Sequence, residues 1–165
     1  MKTLLIMRHA KSSWKDKDLP DIDRPLNPRG EKEAARMGNL LRKKRICPNR
    51  ILSSPALRAR VTAEAVVKAI KEQCDFNREV ECVDQLYMAE APQILDALNR
   101  LPDEVEAVLL VGHNPGLEFT VQMLSRQLIT MPTAAIAYLR VPIAHWSELQ
   151  EDTECELVKR WNPKD

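Results

Sequence analysis

Leu4-Leu5-Ile6-Met7-Arg8-His9 sets four consecutive apolar residues against a cation and an imidazole. A short unbroken apolar run is the pattern of a strand buried on both faces, as in a parallel sheet covered by helices. It predicts a first strand over residues 4–7, with Arg8 and His9 placed where that strand leaves the core. Residues 9–26 turn to Lys, Asp, Ser and Pro, a loop of a length that is usually functional inside a compact domain. Asn27-Pro28 then supplies an N-cap and a first-turn proline, and Glu31, Ala34, Ala35 and Leu41 carry a first helix to about Lys44.

The alternation repeats downstream. Ile51-Leu52 reads as a very short strand, followed by Ser54-Pro55 as cap and first-turn proline of a second helix with Leu57, Val61, Ala65 and Ile70 along its inner face. Residues 79–83 form an outer strand, and Pro92 opens a third helix with Ile94, Leu95 and Leu98 inward. Residues 107–111 repeat the buried-strand pattern and stop at Gly112-His113-Asn114-Pro115-Gly116, after which Leu117, Val121, Leu124 and Leu128 resume a helical period. Residues 135–141 and 155–160 are expected as strands around a polar loop in which His145 and Trp146 sit on a surface turn. Strands alternating with helices at this spacing give an α/β fold: one domain over residues 1–165, a three-layer α/β/α sandwich on a mostly parallel central sheet.

Composition agrees. A chain of 165 residues, 44% hydrophobic and 30% charged, is of ordinary globular make-up and one-domain size. Lys plus Arg (25) nearly balance Asp plus Glu (24), so no broad electrostatic footprint exists for nucleic acid or an anionic membrane, and any basic site is local. The start lacks the apolar length of a secretory leader and no run approaches a membrane span, so a cytoplasmic protein is expected. Cys47, Cys74, Cys82 and Cys155 are widely spaced with no C-x-x-C pair, and read as free buried thiols in a reducing compartment. With no H-x-x-x-H and no dense carboxylate cluster, neither metal nor cofactor is expected.

In sheets of this class the ligand sits beyond the carboxyl ends of the strands. That rule selects Arg8 and His9, then Ser53, Ser54 and the helix holding Arg58, then Gly112 and His113. A single histidine at such a position is more often a hydrogen-bonded core residue. Two of them, one preceded by Arg and one set in a Gly-bounded turn, point to chemistry instead. A guanidinium directly after four apolar residues calls for an anion, and Arg58 near a helix N-terminus lies where anions are already favoured.

Met7-Arg8-His9-Ala10, Ser53-Ser54-Pro55-Ala56-Leu57-Arg58 and Gly112-His113-Asn114, in that order, resemble the histidine phosphatase superfamily, whose hallmark is an Arg-His dipeptide. Arg8-His9-Ala10-Lys11-Ser12-Ser13-Trp14, Asp23-Arg24-Pro25-Leu26 with Gly30, and Val111-Gly112-His113-Asn114-Pro115-Gly116 are similar to its compact SixA-type phosphohistidine phosphatase branch. The resemblance implies that His9 accepts the phosphoryl group and that Arg8, Arg58 and a protonated His113 complete the phosphate pocket, with Lys15 and Asn114 as substrate-binding positions. It implies a hydrolase working on a phosphorylated protein or a small phosphorylated molecule. A non-catalytic phosphate-binding module is the rival; a nucleotide-binding protein is disfavoured by the absence of G-x-G-x-x-G and P-loop sequences. Larger relatives carry a general-acid carboxylate in an insertion. Here residues 76–91 are short, leaving Asp84 and Glu90 as candidates, while Lys11, Lys15 and Arg24 form a possible basic rim.

Overall fold

The computed structural model describes residues Met1–Asp165. The apolar run becomes β1 (Lys2–Arg8), paired in parallel with β4 (Ala107–Gly112) and antiparallel with β5 (Ile136–Val141). With β2 (Arg50–Ser53), β3 (Glu81–Cys82) and β6 (Glu156–Trp161) the sheet has six strands in the order β3-β2-β4-β1-β5-β6. The first four strands in the chain run parallel, and only the last two meet the sheet through antiparallel pairings. The α/β sandwich on a mostly parallel sheet is as expected.

Side-chain alternation divides the core between the two faces of the sheet. Leu5, Met7, Leu109 and Val111 pack with α1 (Pro28–Lys44) and α2 (Leu57–Ile70); Leu4, Ile6, Val108 and Leu110 pack with α3 (Ala91–Asn99) and α4 (Gly116–Ser125). Full burial of each such Leu, Ile or Val contributes about 2 kcal/mol of transfer free energy. Buried on both faces, β1 and β4 are therefore rigid mounts for whatever follows them. The Asn27 side chain accepts the Gly30 N–H, capping α1 where the sequence placed its start. A side chain at Gly30 would collide with the Lys11 carbonyl oxygen, so glycine lets the first turn of α1 close onto the loop after β1.

Four expectations need correction. α2 starts at Leu57 with Ala56 as its cap, not at Ser54-Pro55, and its buried face is Arg58, Ala59, Thr62, Ala63, Val66 and Ile70. Leu57, Val61 and Ala65 are only half buried, because α1 and α2 approach through small residues, with Gly38 packed tightly against Ala65, Val66 and Ala69. α4 ends at Ser125, with Arg126 in the left-handed region, which leaves Leu128 off the helix and exposed. Trp146 is fully buried, its indole N–H donating to the Val105 carbonyl, while His145 stays exposed beside Asp103. Cys47 and Cys74 form a disulfide where the C-terminal ends of α1 and α2 lie side by side, and Cys82 is exposed, so only Cys155 matches the expected free buried thiol. No helix is long and apolar enough to cross a membrane.

Candidate active site

β1 and β4 end together, with Arg8 in register with Gly112 and the His9 N–H donating to the Gly112 carbonyl at 3.0 Å. The Ser54 N–H reaches the Val111 carbonyl at 3.0 Å, which brings the end of β2 to the same point. The chain leaves β1 for a helix on one face and leaves β4 for a helix on the other, so the crevice between them is a topological switch point. There a cleft of about 290 Å³ holds Arg8, His9, Arg58, His113 and Asn114, the residues the sequence singled out apart from Lys15.

His9 is 9% exposed, and its Nδ1 lies 2.7 Å from the Ala10 carbonyl oxygen. A carbonyl only accepts, so Nδ1 carries the proton and Nε2 keeps its lone pair. Burial, reinforced by the charges of Arg58 and Arg8, lowers the ring's pKa to about 4, leaving it neutral at pH 7. His113 stands with its ring centroid 5.2 Å from that of His9, its Nε2 2.7 Å from the Ser54 Oγ and its Nδ1 buried without a partner. Burial first, then His9 and Arg58, lowers its pKa to about 3. Desolvation and three cationic or imidazole neighbours thus oppose the imidazolium expected at position 113.

Both guanidiniums retain unused donors. Arg8 gives Nη1 to the Met131 carbonyl at 3.1 Å, Arg58 gives Nη1 and Nη2 to the carbonyl and carboxylate of Asp21 at 2.7 and 3.0 Å, and the buried Nε of each has no partner. Arg58 is 3% exposed, unlike the solvated Arg60 two residues on. Its helix is locked to the site by Thr62, whose Oγ1 donates to the Arg58 carbonyl and accepts the Ala10 N–H. Asn114 lines the cleft, but its amide is engaged with the Met131 carbonyl and the Glu118 N–H. Lys15 is exposed and lies outside the lining. Of the rim cations, Lys11 and Arg24 border the cleft, and Arg24 is tied down beneath Trp14 by Ser12 and Asp21.

Two residues at the site escaped the sequence reading. Asp21, in a 3-10 turn at Asp21–Asp23, bridges Arg58, Arg24 and the Tyr87 hydroxyl. The Tyr87 hydrogen bond, with those of Arg58 and Arg24, holds its carboxyl well below the usual carboxylate range. Loop length pointed to its segment but nothing in the pattern pointed to the residue. Tyr87, edge-on to His113, comes from the 76–91 stretch that also carries Asp84 and Glu90, and both of those carboxylates are exposed outside the cleft.

The two depressed imidazoles make stability depend on pH. Unfolded histidines protonate near pH 6.5, whereas these take up protons only near 4 and 3, so between those limits the unfolded chain binds more protons than the folded one. Their contribution is complete above about pH 6.5 and is lost as pH falls through about 4 for His9 and about 3 for His113. Denaturation midpoints should drop across that window more steeply in the parent than in a His9→Asn, His113→Gln double variant. Parallel profiles would show that neither ring is held neutral.

Residues 4–86 match the model of the histidine phosphatase superfamily (branch 1), and the chain belongs to that superfamily. Within it, the chain is 33% identical over 155 residues to the uncharacterised protein Rv1276c of Mycobacterium tuberculosis, covering 87% of this chain and 92% of that one. It is 33% identical over 157 residues to the uncharacterised chloroplastic protein At3g52155 of Arabidopsis thaliana, covering 89% and 70%. The fold superposes on a structure from Agrobacterium tumefaciens assigned as a phosphohistidine phosphatase SixA, with a TM-score of 0.82 and 28% identity over 98% of both chains. It also superposes on the protein histidine phosphatase SixA complexed with tungstate, with a TM-score of 0.78 and 26% identity over 98% and 97% of the two chains.

Proposed function

We propose that this protein is a phosphatase that passes the phosphoryl group through His9, and that its substrate is phosphohistidine carried on a protein. The carrying observation is the His9 ring: neutral, with its proton fixed on Nδ1 by a carbonyl and its Nε2 free in a cleft walled by Arg8, Arg58 and His113. The Nε2 lone pair attacks phosphorus as the bond to the leaving group breaks, and the bonding electrons depart with that group. Water then attacks the phosphohistidine, inorganic phosphate leaves, and the electron pair of the N–P bond returns to Nε2. Arg8 and Arg58 neutralise the phosphoryl oxygens through both steps.

Two features support phosphohistidine over a sugar phosphate. The carboxylate at the site, Asp21, is held ionised and has no proton to give an alkoxide, whereas an imidazole leaves more readily. Two large apolar side chains also stand exposed among the polar and charged residues around the cleft, Trp14 at 69% and Met88 at 51%, Met88 being held at a left-handed φ of 50°. Such a rim suits polypeptide around a phosphorylated side chain. The test is a hydrolysis panel of a phosphohistidine protein, a phosphoserine peptide, sugar phosphates and nitrophenyl phosphate, with chelator in each. Fastest release from the phosphohistidine protein is expected; preference for a sugar phosphate would overturn the substrate, and no turnover at all would make this a binding module.

A further inference from the structure

Ser54 follows β2 and is fully buried, yet it caps no helix. Its Oγ has two neighbours: the Ala56 N–H at 3.2 Å, which can only donate to it, and the His113 Nε2 at 2.7 Å. The direction of the second bond is decided by counting protons. If His113 Nε2–H donated to Ser54, the hydroxyl would accept twice and its own proton would be buried with no acceptor, an unfavourable arrangement. The bare Nδ1 would then present a lone pair to an incoming phosphoryl anion. If instead the Ser54 hydroxyl donates to Nε2, the serine is satisfied in both roles, and the His113 proton moves to Nδ1, the ring atom that is buried without a protein partner.

We propose that Ser54 is a positioning residue that holds His113 as its neutral Nδ1–H tautomer, so that the second histidine acts as an uncharged hydrogen-bond donor to the phosphoryl group. The inference extends the functional reading above, in which His113 walls the cleft that receives the phosphoryl group. The two histidines are then tautomerically alike and functionally opposite: each carries its proton on Nδ1, but the His9 Nδ1–H donates to a carbonyl and leaves its Nε2 lone pair free, while the His113 Nε2 accepts from a serine hydroxyl and leaves its Nδ1–H to donate. A neutral donor in this place fits a cleft already holding the cations of Arg8 and Arg58, where a third buried charge would be opposed.

Nitrogen-15 spectra of the ring-labelled protein give a direct test, since the chain has 3 histidines and His9→Asn identifies one of the two buried rings. At neutral pH in the unliganded parent, His113 should show a protonated Nδ1 and a pyridine-like Nε2. Ser54→Ala should shift the ring toward the Nε2–H form, weaken tungstate binding and lower kcat/KM roughly tenfold, the worth of about one hydrogen bond of 1.4 kcal/mol. Ser54→Thr, which keeps the hydroxyl, should restore the parent tautomer and most of the rate. A parent His113 found protonated on Nε2 overturns the proposal without any variant and without touching the functional reading. So does a Ser54→Ala protein with unchanged ring shifts and unchanged tungstate affinity. Loss of turnover in the parent on every phosphorylated substrate, with the Nδ1–H tautomer intact, would instead strike the functional reading and leave the tautomer assignment standing.

Discussion

His9→Ala should lose turnover by on the order of 10⁴-fold or more in kcat while its far-ultraviolet spectrum stays that of the parent. The size of the effect follows from the role: positioning by Arg8 and Arg58 survives the substitution, but no other nucleophile faces phosphorus. The fold should tolerate the change. The His9 side chain makes one hydrogen bond, to the carbonyl of the next residue, and the strand end is held by backbone bonds to Gly112 and Ala134 that alanine keeps. A second readout makes the result specific. Radiolabelled substrate quenched in alkali should leave label on the parent protein at His9, released by acid as a phosphoramidate is, and should leave none on His9→Ala. Activity within tenfold of the parent, or label on another residue, would falsify the assignment of His9 as nucleophile.

What the sequence made legible was what depends on period and position. Residues 4–7 and 107–111 are apolar without interruption because both faces of β1 and β4 are covered, and a strand of that kind announces itself along the chain. Once those strands are placed, Arg8, His9, Gly112 and His113 fall at their ends by counting, and Arg58 by its distance from a helix start. The failures have a common cause. Asp21 reaches the cleft because the 9–26 loop folds back, with Ser13 and Asn27 bonded to Pro25 and Lys11, and Ser12 bridging to Leu26. No local rule encodes that path. The Cys47–Cys74 bond spans 27 residues and depends on two helix ends meeting. Ser54 carried the signature of a helix cap, and the same hydroxyl turned out to serve a histidine 59 residues away. The resemblance implies Lys15 as a substrate-binding position, but the loop sets Trp14 against Arg24 and leaves Lys15 exposed outside the cleft lining.

The rate should fall steeply as the leaving group becomes more basic. Across aryl and alkyl phosphates, with no proton donor at the bridging atom, a slope near one in log kcat/KM against leaving-group pKa amounts to about a thousandfold over three units. Phosphorylated imidazoles and nitrophenols should accordingly outrun sugar alcohols by large factors. The competing possibility is a carboxyl that protonates the departing oxygen, which would flatten the series. Asp84 and Glu90 are exposed outside the cleft, so Asp84→Asn and Glu90→Gln should leave a steep series unchanged. Asp21 is inside it but ionised, held so by Tyr87, Arg58 and Arg24, and a carboxylate without its proton is no acid. Asp21→Asn should therefore change the rate through Arg58, whose guanidinium it orients, by a similar factor for good and poor leaving groups alike. A flat parent series that turns steep in any one of the three variants would identify that carboxyl as the acid, and with it would go the physical ground for preferring phosphohistidine to an ordinary phosphate ester.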